Sequence, residues 1–404
     1  MSSPASDGAP FTTDHEVFPG LDSLRALASL AVVGTHVAFW AGIYPDGLLG
    51  AMSSRLDIGV AFFFVLSGFL LGHPFLLAMA GGRRRPSTGR YFWKRALRIV
   101  PLALIVTIAA LALLDQNKQA DLGTWVGNLT LTELYVTGAL PAGLTHMWSL
   151  ATEVAFYVVL PGLMALIARL VCRRGWNPRG ILTSLGVLVV LNVVWLVAIA
   201  PQRVGAGQWL PAYLSWFSVG IALAVIAIDR RRPGRDNTWS FWSTLAGQPG
   251  ICWVMALALF AVAATPVGGP SLLIAPTHTE AVSKNLLYAV IAGLIVLPSV
   301  LGPASGTPYS NFLGQRILRH LGHISYGIFC IHLLVIHAVA SWRDIPVFQG
   351  NGWELFALTV VITLVLAEIA YRVVERPAMR LKNAQISRSK STPPAAASAA
   401  TTHH

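Results

Sequence analysis

Charge is scarce in this 404-residue chain: Asp, Glu, Lys and Arg together make up 11% of it, where soluble domains run near a quarter. With 55% of residues hydrophobic, no charged shell is left to cover a water-soluble core. Acidic residues are the scarcer sign, 17 against 29 Lys and Arg, which leaves a net charge of +12. Cysteine is nearly missing as well. Cys172, Cys252 and Cys330 fall in or beside apolar segments without paired spacing, which excludes a disulfide framework or a zinc motif and leaves them as small core residues. No metal site is expected. Inverted repeats and an appended soluble domain are also missing from the pattern. The first apolar run, Leu21 to about Trp40, has neither a basic leader nor a small-residue cleavage site, so it reads as a retained helix rather than a signal peptide.

What remains is a series of apolar segments, each near the roughly 20 residues that a helix needs to cross a hydrocarbon core. The sequence predicts an all-α integral membrane protein of about ten transmembrane helices, near 21–41, 57–80, 90–114, 146–171, 181–200, 209–228, 250–265, 284–301, 317–341 and 353–380. Loops 81–90, 172–180 and 229–249 and the tail are rich in Arg and Lys, including Arg83 to Arg85 and Arg230 to Arg232. The loops on the alternate side hold few, so the positive-inside rule sets both termini in the cytoplasm. Topology thus accounts for the basicity. Membrane lipids, not nucleic acid, are the expected surroundings, and the location is the inner (plasma) membrane, crossed many times. Residues 1–17 and 383–404 are low in complexity and read as disordered, flanking one multi-helix membrane domain over 18–382. The apolar stretch from Trp125 to Leu140 is too short to span, and is expected to lie in the interface or to re-enter.

Ionisable groups inside a membrane are costly, so each is a candidate for function. At ~1.5 Å of rise per residue, His36 lies roughly 22 Å from the start of the first helix, and Glu153 enters from the other side to roughly 10 Å below the surface. The two are expected to share a depth, where a carboxylate would orient an imidazole that takes a proton from a hydroxyl. The bland reading is that each bonds a neighbouring helix. Arg25, Arg95 and Arg98 lie near the cytoplasmic ends of the first and third segments. Such forks grip phosphate in pairs, although arginines also snorkel to lipid phosphates. From Arg25 to His36 is roughly 16 Å along the helix, about the reach of an extended pantetheine arm, so a single passage joining them would suit a phosphate-bearing thioester. His332, deep in the ninth segment, either helps a polar pocket or packs as a hydrogen-bonded core residue. Ser67 and Ser149 either line the passage or bond helix carbonyls. His320 and His323 belong at the inner surface, and His403 with His404 is too short a run to imply metal binding.

At this point the sequence resembles a known family, the acyltransferase type 3 membrane proteins of bacteria. The resemblance is carried by Gly20-Leu21-Asp22-Ser23-Leu24-Arg25 followed by Thr35-His36, by Phe62 to Leu70, by Arg95-Ala96-Leu97-Arg98, and by Trp148-Ser149-Leu150-Ala151-Thr152-Glu153. Leu321-Gly322-His323-Ile324-Ser325-Tyr326 with His332, and Glu375-Arg376-Pro377, complete the pattern in order along nearly the whole chain. The resemblance implies an O-acyltransferase that moves an acyl group, acetyl or succinyl, from cytoplasmic acyl-CoA to a hydroxyl of an envelope glycan, glycolipid or glycosylated metabolite. It implies His36 as the catalytic residue and Arg25, Arg95 and Arg98 as donor contacts, with Glu153 beside them and Ser67, Ser149, Tyr326 and His332 in support. Many members have two adjacent acidic residues where this chain has Glu153-Val154. Some relatives carry a C-terminal hydrolase-like domain that this sequence lacks, so the acceptor is expected to reach the membrane site directly or through an envelope-assembly partner. The rival class is a transporter or flippase of a lipid-linked or acidic small molecule, which would use the same polar residues as a path.

Overall fold

The computed structural model describes residues 18–81, 84–234, 238–271, 274–303, 305–349 and 351–381. The terminal segments 1–17 and 383–404, with His403 and His404, and Arg83 lie outside the described residues. The described chain is helical and contains no strand. In order it runs through α1 (Pro19–Trp40), α2 (Gly47–Ser54), α3 (Gly59–Met79), α4 (Thr88–Leu113), α5 (Leu122–Leu129), α6 (Glu133–Val136), α7 (Met147–Leu170) and α8 (Pro178–Val194). It continues through α9 (Leu214–Asp229), α10 (Ser240–Ala246), α11 (Pro249–Ala263), α12 (His278–Leu301), α13 (Pro308–Leu313), α14 (Arg316–His323), α15 (Ser325–Trp342) and α16 (Gly352–Ala370).

Among the described residues nine helical stretches are long and apolar enough to cross a membrane, and a tenth arises if α10 and α11, bent by 87° at their junction, count as one broken span. Two expected spans differ in form. The segment 317–341 is two helices, because the chain turns at Ile324 before α15 begins. The segment 57–80 is led in by the separate short helix α2 and a tight turn at Arg55–Ile58. The Trp125–Leu140 stretch forms α5 and α6, both far too short to span, with Asp121 capping α5 by accepting from the Thr124 N–H at 2.8 Å.

Apolar side chains face outward as well as filling the core, and polar ones are drawn inward, unlike a soluble bundle. Val187, Val190, Leu191 and Val194 on α8 and Val361, Val365 and Ile369 on α16 are exposed, whereas Ser29, Thr152, Thr359 and His332 are fully buried. With lipid outside, the hydrophobic effect does not drive helices together, so close packing and internal hydrogen bonds must. The tightest contact is between α3 and α9. A Cβ added at Gly68 would collide with the Phe217 carbonyl, and one at Gly220 with the Val65 carbonyl. Phe217 then stacks on Phe64 and Phe156, with ring centroids 4.5 and 3.9 Å away. Elsewhere Arg55, 3% exposed, holds the α2–α3 turn to the α11–α12 connection by donating to the carbonyls of Ala263, Gly269 and Pro270. The buried Asp229 accepts from the indoles of Trp176 and Trp239 at 2.7 and 2.9 Å.

Gly220→Val should lose about 1–3 kcal/mol to overpacking at this contact, read as a lower melting temperature in detergent. Gly186→Val, where an added Cβ meets nothing within 4 Å, should leave the melting temperature unchanged.

Candidate active site

Arg95 and Arg98 are three residues apart on α4 and share a face; Arg25 reaches the same space from α1. Together they line a cavity of about 280 Å³ whose wall also carries Glu153, Ser67, Ser149, Tyr157 and Tyr326. Of the residues expected at the site from the sequence, His36 and His332 are not in this wall. Each hydroxyl has a partner. Ser67 and Tyr157 both donate to one oxygen of Glu153, Tyr157 at 2.6 Å. Tyr326 donates to the Ile99 carbonyl at 2.7 Å and Ser149 to the His146 carbonyl at 3.1 Å.

The charges are less well matched. Arg25 lies 3.6 Å from Asp22, a carboxylate that His323 also approaches at 3.5 Å. Arg95 sits over the Tyr157 ring, 5.9 Å from its centroid, and its Nε is buried without a hydrogen-bond partner. Among the described residues neither Arg95 nor Arg98 makes an ion pair within 4.0 Å, although the Glu375 carboxylate interacts electrostatically with Arg98. Three guanidiniums thus face one lining carboxylate in a low-dielectric space, a field that favours a multiply charged anion.

His36 belongs to a second cluster. Its Nδ1 lies 2.9 Å from the Val32 carbonyl and 3.1 Å from Nε2 of His332. His332 in turn places Nδ1 2.6 Å from the Phe329 carbonyl. A carbonyl only accepts, so in the neutral state His332 carries its proton on Nδ1 and leaves Nε2 as an acceptor. His36 must then carry its own proton on Nδ1, shared between Val32 and His332, and its Nε2 is left as a bare lone pair. The depth argument set Glu153 beside His36. The carboxylate instead bonds Ser67 and Tyr157, and an uncharged imidazole orients His36.

The sequence reading passed over His146, the residue that leads into α7. It is 2% exposed, and its ring centroid lies 4.8 Å from that of His332 and 6.5 Å from that of His36. It sits at a helix end, where polar residues are ordinary, so ranking by depth gave it no weight. Its place directly before Met147-Trp148-Ser149 was the available signal. No group of His, Cys, Asp and Glu among the described residues is arranged to hold a metal ion.

Phe329 stands between the clusters. It lines the cavity, lies 6.1 Å from the Phe63 ring, and presses on His146 and His332 at 5.0 and 6.1 Å. The expected open passage from the arginines to His36 is not seen: the cavity lining omits His36, and Phe329 is a lining residue that packs against the histidine cluster.

Comparison with known proteins bears on this arrangement. The family model of an acyltransferase domain matches residues 18–372. The chain is 27% identical to a peptidoglycan O-acetyltransferase of Listeria monocytogenes, over 89% of this chain and 55% of that protein. It is 28% identical to nodulation protein 10 of Rhizobium leguminosarum, over 91% of this chain and 95% of that one. An O-acetyltransferase of Staphylococcus aureus is 25% identical, over 89% and 57%. The chain thus spans little more than half the length of the two O-acetyltransferases. No solved structure matches it.

In membranes carrying 15N-labelled histidine, the signal lost in His36→Asn should be that of a neutral ring protonated on Nδ1. His332→Leu should keep the ring protonated on Nδ1, where the Val32 carbonyl remains as acceptor, and shift that nitrogen's signal by the loss of its second acceptor. A His36 already protonated on Nε2 in the intact protein would overturn the assignment.

Proposed function

Starting from the fact that the chain belongs to the acyltransferase domain family, we propose that it is a multi-pass membrane O-acyltransferase that moves an acetyl or succinyl group from cytoplasmic acyl-CoA to a hydroxyl of a cell-envelope glycan or glycolipid. One observation carries the donor assignment: three guanidiniums line one cavity with one lining carboxylate, and among the described residues two of them make no close ion pair. A nucleotide bearing several phosphates meets that excess with paired, charge-assisted hydrogen bonds. The basic loops beside the same end support its facing the cytoplasm, where such a donor is found. The relatives named for peptidoglycan O-acetylation support an envelope hydroxyl as acceptor.

In this reading the donor's phosphates sit against Arg25, Arg95 and Arg98, and its arm runs toward His36. The arm fits when the Phe329 ring turns aside. The bare Nε2 of His36 takes the proton of the acceptor hydroxyl as its oxygen forms the new ester bond to the thioester carbon. His332 accepts from Nδ1 and stabilises the imidazolium without becoming charged. The carbon–sulfur bond breaks, and the proton passes from His36 to the departing thiolate. Glu153 acts at the other end: fixed by Ser67 and Tyr157, it holds the Tyr157 ring under Arg95.

With purified protein in lipid vesicles, labelled acetyl-CoA and a glycan acceptor should give labelled ester and free CoA in equal amounts. His36→Ala should lower kcat by at least about 100-fold, the usual scale of a positioned base, and retained turnover would remove it from that role. Arg95→Gln and Arg98→Gln should each raise the KM for acetyl-CoA by roughly tenfold, for the loss of one charged hydrogen bond, with a smaller change in kcat.

A further inference from the structure

A second bare nitrogen lies beside the histidine pair. His146 Nε2 is 3.2 Å from the Cys330 carbonyl, to which it can only donate, so the neutral ring keeps its proton there and leaves a lone pair on Nδ1. That Nδ1 is buried and has no hydrogen-bond partner. Buried acceptors are nearly always paired, and one that is not points to a ligand or a task.

The neighbours of His146 narrow what the partner is. On one side are Phe329, whose ring lies 5.0 Å away, and Ser149, whose hydroxyl bonds the His146 carbonyl; both are cavity wall. On the other side is His332, 4.8 Å away and bonded to His36. His146 thus lies behind the cavity wall, between two of its lining residues and the imidazole pair, beside a direct line from the arginines to His36. A pantetheine arm carries two amides, and each N–H loses its water on entering this interior and needs an acceptor. The acceptor hydroxyl, by contrast, is required at the bare Nε2 of His36.

We infer that Nδ1 of His146 accepts a hydrogen bond from the pantetheine amide nearest the thioester, and so sets the reacting carbonyl beside His36. His146 is then a donor-binding residue rather than a second base, and recognition of the donor continues past its phosphates. The inference rests on the acyl-CoA reading proposed above.

The test uses the full chain in vesicles with two donors: acetyl-CoA, and an analogue in which the amide N–H nearest the thioester is replaced by an ester oxygen. The intact protein should prefer the amide by roughly 10- to 100-fold in kcat/KM. His146→Phe, which keeps a ring but has no acceptor, should lose most of that preference. His146→Asn, whose side-chain oxygen can stand near the place of Nδ1, should retain part of it. Equal use of both donors by the intact protein overturns the inference without any variant, which covers the case of a variant that fails to fold. An undiminished preference in His146→Phe overturns it too, as does a change confined to the KM of the acceptor. If the intact protein transfers from neither donor, the acyl-CoA reading itself fails and this inference goes with it.

Discussion

The hydrogen bond from His36 Nδ1 to His332 Nε2 joins the first helix to one of the last, 296 positions along the chain. An imidazole has two nitrogens, and in a membrane interior each must be matched or held available for a reason. Because His332 is committed to the Phe329 carbonyl, it can only accept from His36, and that fixes which nitrogen of His36 stays bare. Basicity at that nitrogen is thus decided by helix packing. A carboxylate in the same position would hold the ring more strongly, but it would bring a charge that the bundle would then have to neutralise. Two neutral rings avoid that cost.

The arginine cavity follows the opposite rule. There charge is left in excess, since Glu153 is tied up by two hydroxyls and Asp22 is shared between Arg25 and His323. The bundle separates an anion-seeking compartment from a neutral, proton-accepting one, with Phe329 as the partition. Close packing makes this possible. The contact of Gly68 and Gly220 with carbonyls across α3 and α9 leaves no room for lipid or water between those two helices.

Much of this architecture was legible in the sequence, because hydropathy at membrane length is a strong signal. Arg25, Arg95 and Arg98, read at the cytoplasmic ends of their segments with lipid phosphates as the rival use, line one cavity, and His332, read as deep in its segment, is buried. The pairing of His36 was not legible. Rise gives depth but not azimuth, so Glu153 and His332 were equally eligible, and chemical habit favoured the carboxylate. The turn at Ile324 was hidden because α14 is amphipathic, its Leu residues continuing the apolar run into α15 while Arg316 and His320 are exposed. His146 was hidden because a helix end excuses any polar residue. The side-chain block at Phe329 lies below what a pattern of apolar residues can reveal, since every candidate ring in the segment reads alike.

The rings that make up the reactive cluster enter the membrane at different times. His36 is inserted with the first helix, His146 at the lead of the seventh, and His332 only with α15. Until α15 arrives, only the Val32 carbonyl holds the Nδ1 proton of His36, and no second imidazole is there to accept from the ring and stabilise it once charged. In the acyl-transfer reading, a partly synthesised chain could hold a thioester near its arginines yet spend little of it on water, so that the cell's activated acyl pool is guarded during biogenesis by the order in which the ribosome delivers the helices.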